Sequence, residues 1–526
     1  MLPISQLNFG FADAQNFTSK EDTELFNRFF FRTEHLDKLC RDSTYFLLGE
    51  KGTGKTAYAM YLVNNKYRSN IATINHMRET EYLKFIALKN EKKLILSDYA
   101  AIWKVIIYLL LAESITDSEL DKSVFGSISR FSNLRKAIST FYKDAFSPEI
   151  VTAITFVENH KISAQILSQF TSLGAEGAKG MSFKESRFQT NLLYIEKQFE
   201  EALSRVRLEH SHILFIDSID VRPPSVPYGE YLDCVKGLAN AVWSVNTDFF
   251  SKIGSPKGRL RTCLLVRPDI FNSLGLQNQN NKLMDNSVLL DWRTTYPNYR
   301  SSAIFRLADK LLASQQDREL KVGQAWDYYF PYKIRHGMKA DDSFTSFLRF
   351  SLGRPRDVIF MLMLLKDKFV KQARPLNSVF RQEDFDDPEF RRDYADYMLG
   401  EIKDHLAFYF LAKDYELFLK FFEYLRGSPR FTYEEYVAAY KRFMEFLASN
   451  NINPPAFFET ADTFLQFLYE LNIVCYVEDT PQEPFPRWCY RERSYANIAP
   501  KVKNNLRYEI HYGLGKALNV GRRFVR

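Results

Sequence analysis

Cysteine is scarce in this chain: five in 526 residues, at Cys40, Cys234, Cys263, Cys475 and Cys489. The number is odd and no pair has the spacing of a zinc or redox site. That excludes a disulfide framework and fits buried thiols in a reducing cytoplasm. Long apolar runs are missing too. The longest, residues 105–111, falls far short of the roughly 20 residues that span a bilayer. The opening stretch MLPISQLNFGFADAQ has no charged segment followed by an apolar one, so no secretory signal is expected, and the reading is cytoplasmic with no membrane association. Nor is there a large excess of one charge, with 71 Lys/Arg against 64 Asp/Glu and a net of +7. With 46% hydrophobic residues and 15% aromatics, including 46 Phe and 30 Tyr, disorder is excluded and large cores are expected. The length exceeds what one core fills, which predicts three or four folded units.

What is present begins with a buried-strand pattern, Thr44-Tyr45-Phe46-Leu47-Leu48, running into Gly49-Glu50-Lys51-Gly52-Thr53-Gly54-Lys55-Thr56 and then a helical pattern over residues 56–63. Strand, G-x-x-x-x-G-K-[ST], helix is the context that gives the pattern a mechanism. Gly49, Gly52 and Gly54, with Thr53 between them, let backbone N–H groups converge on a phosphate at a helix N-terminus, where unpaired donors and the helix dipole favour anions. Lys55 then reaches the β- and γ-phosphates and Thr56 ligates Mg²⁺. ATP with Mg²⁺ is the expected ligand pair.

Such a loop needs a carboxylate at the end of a neighbouring buried strand to orient Mg²⁺. His212-Ile213-Leu214-Phe215-Ile216-Asp217 supplies the strand, and Asp217 the carboxylate. The next residue, where many P-loop ATPases carry a glutamate that activates water, is Ser218. Asp220, two residues on, is the nearest candidate base, or it caps the following turn. Slow hydrolysis is therefore expected. A third strand ends at Arg267-Pro268-Asp269, because proline forces the chain out of a sheet. Arg267 is there either a γ-phosphate sensor or a salt-bridged structural residue. Residues 287–292 read as a fourth strand.

About 150 residues separate the P-loop helix from Asp217, and residues 113–207 read as a largely helical insertion. Within the wider interval, residues 72–75 and 94–96 are short strand candidates, residues 99–112 and 191–207 have helical spacing, and residues 172–180 form a Gly-rich loop. After Trp292 the pattern turns helical. Leu352-Gly353-Arg354-Pro355-Arg356-Asp357 opens a helix whose N-terminal arginines oppose its dipole, a local cost that an anion relieves. Arg356, on a lid, is the candidate that stabilises γ-phosphate charge. Near the C-terminus, three helical patterns (one starting at Tyr415, one opened by the capping box Thr432-Tyr433-Glu434-Glu435, one carrying the stripe Ala461, Phe464, Leu465, Leu468, Leu471) precede two strand candidates, residues 473–477 and 487–491. That order suggests a winged helix. Its third helix has no Lys or Arg, so sequence-specific DNA reading through it is not expected. From Arg487 to the end there are ten Lys/Arg against two Asp/Glu, so Arg487, Arg491 and Arg493 either grip nucleic acid without specificity or form a solvated face.

The predicted architecture is an α/β P-loop NTPase core with a parallel sheet (1–295, insertion about 113–207), a helical lid (296–400) and a C-terminal winged-helix-like domain (401–526). In its order of motifs the chain resembles signal-transduction ATPases with numerous domains (STAND) and origin-recognition-like AAA+ ATPases. More narrowly it resembles a bacterial P-loop ATPase family often carried by prophages and mobile elements, which shares the P-loop, Arg267-Pro268-Asp269, Gly353-Arg354-Pro355-Arg356-Asp357 and a tail like Tyr490-Arg491-Glu492-Arg493-Ser494. The resemblance implies an ATP-controlled regulatory role in defence against phage or competing mobile elements. It assigns Asp217 to Mg²⁺, Arg267 to a first sensor and Arg356 to a second. It assigns no arginine finger, so a nucleotide-dependent homo-oligomer stays open. The partner is then a protein effector; the alternative is an ATP-dependent nucleic-acid-binding protein of origin-recognition type.

Overall fold

Phe46, Leu47 and Leu48 are wholly buried and form β1 (Phe46–Leu48), the strand that delivers the chain to Gly49. The remaining strands are β2 (Asn70–His76), β3 (Ser211–Asp217), β4 (Leu260–Val266), β5 (Ser287–Leu289), β6 (Lys333–His336), β7 (Lys339–Asp342), β8 (Arg430–Thr432), β9 (Val474–Asp479), β10 (Pro484–Arg487) and β11 (Arg507–Ile510). This computed structural model describes residues 1–77, 96–115, 208–224, 226–254, 258–336, 339–481 and 484–521, with scattered positions between 193 and 204. Most of the expected insertion, including the loop at 172–180, lies outside the described residues, and so do positions 94 and 95 of the strand candidate that precedes it. Leu96, expected in that strand, instead opens the helix Leu96–Ser114, where an almost unbroken apolar sequence is buried against helix Tyr228–Ser244. The described residues of 193–204 are helical, as the spacing there predicts.

The chain divides into two compact units: Met1–Thr33 with Gly49–Ala57 and Leu289–Arg526, and Glu34–Leu48 with Tyr58–Val288. The second contains the sheet, in the order β2-β3-β4-β1-β5. β2 with β3, β3 with β4, and β4 with β1 pair in parallel. A parallel sheet needs crossovers and cover on both faces, so its central strands are largely apolar rather than alternating, whereas the edge strand β2 keeps half-buried polar positions at Thr73, Asn75 and His76. Ile213 to Ile216 follow that rule, each at most 2% exposed. This is an α/β P-loop core. The strand expected over residues 287–292 is shorter than read, ending at Leu289.

The first unit is helical in its middle, with Ala303–Ala313, Gln324–Tyr329, Phe344–Phe350, Pro355–Lys371 and Pro388–Tyr409. Its core accounts for much of the aromatic content: Trp326 stacks on Phe330 with ring centres 4.3 Å apart, and Phe330 on Phe380 at 4.7 Å. Further on come helices Ala412–Phe421, Tyr433–Ser449 and Ala461–Glu470 and an antiparallel sheet in the order β10-β9-β11-β8. Phe464 meets Phe458 at 4.3 Å (tilted) and Phe421 at 4.7 Å (edge to face), and Phe443 of the middle helix lies 4.9 Å from Phe458, so the three helices converge on one aromatic cluster. The Thr432–Glu435 capping box is formed. The second expected strand is corrected: β10 stops at Arg487 and Cys489–Glu492 is a helical turn, because the Tyr490 N–H is taken by the Asn472 side chain at 2.8 Å instead of a sheet neighbour. β8 and β11, of three and four residues, carry too little alternation to have been read. Among the described residues no helix is long and apolar enough to cross a membrane.

Candidate functional site

The P-loop belongs to the first unit. Gly52 and Gly54 have φ of +83° and +97°, a region that side chains strain to enter. Between them Thr53 closes a tight turn, its N–H and hydroxyl both donating to the Glu50 carbonyl (3.2 and 2.8 Å). A Cβ on Gly49 would lie 2.3 Å from the Thr53 hydroxyl, so that position is restricted to glycine. The Trp292 indole N–H fixes the Thr53 carbonyl at 2.9 Å. Helix Lys55–Asn64 follows at once, and Lys55 Nζ donates to the carbonyls of Gly49 (2.9 Å) and Glu50 (3.3 Å). Glycines at positive φ, a helix N-terminus and a lysine folded back over the loop fit an anionic phosphate chain, which would offer Lys55 charged oxygens in place of neutral carbonyls.

Three consecutive loop residues are held from distant parts of the same unit. Glu50 is ion-paired with Arg493, which is 6% exposed. The Lys51 carbonyl accepts from Arg354 Nη1 at 3.0 Å. The Gly52 carbonyl accepts from the Arg356 backbone N–H at 3.3 Å. Helix Pro355–Lys371 is thus set on the loop by its own first turn, with Arg354 as N-cap and Pro355 at the first helical position. Arg354 is locked by Asp357, which is fully buried and also accepts from the Leu352 N–H (2.9 Å) and the Tyr397 hydroxyl (3.0 Å). Burial works against the Arg354 charge, but Asp357, Tyr397 and Glu401 outweigh it and raise its pKa above the ordinary guanidinium value. The Arg356 side chain reaches Asp13 (3.0 Å), the Ala12 carbonyl (3.3 Å) and Glu401 (3.5 Å). Lys51 pairs with Asp404 and Glu401.

In the second unit the carboxyl ends of β2, β3 and β4 carry the remaining candidates. Asp217 ends β3 with its side chain 7% exposed, in register with His76, the last residue of β2. The Met77 N–H donates to the Asp217 carbonyl at 3.0 Å. Ser218 has φ +65° and donates its N–H to Asp217 Oδ1 at 2.8 Å. Asp220 is half-buried in the turn beyond. Arg267, 1% exposed, is the N-cap of helix Pro268–Ser273 and forks onto Asp269 (3.1 and 2.5 Å). That pairing matches the salt-bridged alternative for this residue.

The basic triad at the C-terminal end is not one surface. Arg487 pairs with Glu478 (2.8 Å) and Glu492 (3.2 Å). Arg491 is half-buried, with Nε 3.0 Å from the Tyr490 hydroxyl and its guanidinium over Tyr296. Arg493 is inside, on Glu50 and the Ile498 carbonyl (2.9 Å). Burial pulls its pKa down to about 10, which leaves it charged at neutral pH.

Sequence reasoning passed over Glu50, His76, Trp292, Asp357 and Glu401. A signal existed for two of them: an acidic residue inside an anion-binding loop asks for a cation, and His76 lies one residue beyond the strand candidate at 72–75. No family model and no curated protein matches the chain. Among solved structures it is similar to a chain described as the RuvB Holliday junction branch migration motor of Thermotoga maritima, at 12% identity over 94% of this chain and 99% of that one, with a TM-score of 0.29. That score is below the level at which two chains share a fold, so nothing about activity follows from it; the P-loop core is known here from its own strands and glycines.

Proposed function

We propose that this chain is an ATP- and Mg²⁺-binding P-loop ATPase that hydrolyses slowly and works as a nucleotide-controlled switch. The observation that carries the reading is the grip on Glu50, Lys51 and Gly52 by Arg493, Arg354 and Arg356. A loop whose only task is to cradle phosphate does not need its outer face tied to elements more than 300 residues away; a loop that reports its occupancy does. Lys55 and Thr56 take phosphate and Mg²⁺, and Asp217 orients the metal, which when bound neutralises charge on the β- and γ-oxygens. On nucleotide binding Lys55 leaves the Gly49 and Glu50 carbonyls, and the turn that Arg493 and the 355–371 helix hold is relaxed. Arg356 is the residue on that helix suited to answer γ-phosphate charge. Ser218 in place of a carboxylate supports slow turnover, with Asp220 the nearest candidate base in sequence after the metal-orienting Asp217.

Helix Pro355–Lys371 then acts as the lid, and the three helices with β9 and β10 as a winged helix that docks protein. The resemblance to prophage-borne ATPases extends this to defence against phage or competing mobile elements through a separate effector protein. The alternative, an origin-recognition-like DNA-binding ATPase, has less support, since Arg487 and Arg493 are committed within the chain. Calorimetry with ATP and Mg²⁺ should give saturable binding that Lys55→Ala abolishes. Phosphate release should be slow and unchanged by duplex DNA, with particle mass followed in parallel to detect assembly. Full nucleotide affinity in Lys55→Ala defeats the nucleotide reading; strong DNA stimulation shifts the balance to the alternative.

A further inference from the structure

The end of β3 contains an arrangement that the P-loop alone does not require. Asp217 has both carboxylate oxygens engaged: Oδ1 by the Ser218 N–H at 2.8 Å, and Oδ2 by His76 Nδ1 at 3.5 Å. The same ring nitrogen lies 3.4 Å from the Ser218 hydroxyl. Ser218 reaches this geometry with φ +65°, a left-handed conformation that costs a non-glycine residue roughly 1 kcal/mol or more. Strain of that kind persists where the surroundings enforce it, and here it turns the Ser218 N–H back onto the preceding carboxylate. The parallel register placing His76 opposite Asp217, and the Met77 N–H on the Asp217 carbonyl, fix the two backbones to one another. The His76 side chain is 33% exposed and that of Asp217 only 7%, so the imidazole is the solvent-facing member of the pair.

We propose that His76 is a positioning residue for Mg²⁺: with Ser218 it fixes the plane and the lone-pair directions of the Asp217 carboxylate. The inference rests on the reading of the P-loop as a nucleotide site. A carboxylate that must meet a metal held largely by phosphate and water loses affinity if it rotates freely, and partners behind a metal-binding group typically contribute 10- to 100-fold in affinity. In the tautomer with a proton on Nδ1, His76 presents that N–H toward Oδ2 at 3.5 Å while Ser218 donates from its backbone to Oδ1, so both edges of the carboxylate face a donor. The serine that replaces a glutamate is then part of the clamp, and His76, from the adjacent strand, completes it.

The test measures affinity for a fluorescent ATP analogue in excess Mg²⁺ and in chelator, for the wild type, His76→Ala, His76→Asn and Ser218→Ala. An asparagine amide nitrogen occupies nearly the position of a histidine Nδ1 and keeps the donor. His76→Ala should lose about tenfold of the Mg²⁺-dependent gain in affinity with its chelator value unchanged. His76→Asn should restore most of that gain, and Ser218→Ala, which keeps the backbone donor, should lose less than His76→Ala. Wild-type Mg²⁺ dependence in His76→Ala overturns the proposal, as does equal loss with and without Mg²⁺, which marks a structural role. A His76→Asn variant no better than alanine overturns the donor assignment. A wild type that binds nucleotide indifferently to Mg²⁺ removes this proposal alone; one that binds none in either condition removes the nucleotide reading itself.

Discussion

Replacing Arg493 by methionine keeps the length of the side chain and removes its charge, leaving the Glu50 carboxylate without its cation. Breaking a buried ion pair from one side costs about 3–5 kcal/mol. The Glu50 side chain keeps 18% of its exposure against 6% for Arg493, so partial hydration brings the expected cost to about 2–3 kcal/mol. Because the chain has two units, a single global unfolding energy is ill-defined, and local opening is the better measure. Amide hydrogen exchange followed by mass spectrometry should show peptides covering residues 49–56 and 488–494 exchanging about 30- to 150-fold faster in Arg493→Met. Glu50→Gln combined with Arg493→Met removes both charges and should recover a large part of that loss, so the two changes are non-additive. The unpaired carboxylate also adds uncompensated negative charge to an anion-binding loop, so nucleotide affinity should fall further in the single variant than in the double. Exchange within about twofold of wild type, or strict additivity, refutes the idea that this pair ties the C-terminal segment to the phosphate loop.

Gly52→Ala places a Cβ 3.1 Å from that of Arg356 at a φ of +83°, so nucleotide binding should weaken and the 355–371 helix should exchange faster; unchanged affinity and exchange would show that neither strain nor contact matters there. Asp357→Asn strips the buried partner from Arg354 and should cost about 3–5 kcal/mol, read as a large drop in melting temperature of the unit containing it; an unshifted melt contradicts the network. His511, 2% exposed with Nε2 3.3 Å from the Ser351 carbonyl and Nδ1 accepting from Gly513, has its pKa lowered by burial to about 4. The unfolded chain takes up that proton first, so stability is whole above about pH 6.5 and declines as pH falls from there toward 4, by up to about 3 kcal/mol. In urea titrations across that range His511→Gln should flatten the decline, and an unchanged pH profile would exclude this residue as its source.

The phosphate loop was legible because its chemistry is in the backbone: a turn that needs positive φ at Gly52 and Gly54 cannot disguise its sequence. β3 was legible because a strand covered on both faces must be apolar along its length. The helix opened by Pro355 could be placed from proline's fixed geometry, and helix Tyr433–Ser449 from a local capping box. Arg493 was not legible. A run of positive charge states only that cations are present, and its partner, Glu50, is set by tertiary packing that no local pattern encodes. The same holds for His76, whose role depends on which strand lies beside β2. β8 and β11 escaped because a short strand has no period to detect, and the strand expected through Arg491 ended early because a single side chain, Asn472, offered its backbone a better acceptor.

The unit that contains the phosphate loop is assembled from the beginning and the end of the chain, with Lys51 and Arg354 separated by 303 positions. A ribosome adding roughly 5–20 residues per second finishes the loop about 15–60 s before the arginine that steadies it exists, and Arg493 arrives later still. Until then the glycine-rich turn relies on its own Thr53–Glu50 bonds and, from residue 292 onward, on the Trp292 indole, without the arginines. The restraint on Glu50, Lys51 and Gly52 is therefore complete only after Arg493 has been synthesised, so a copy that stops before that residue keeps the glycine turn without it.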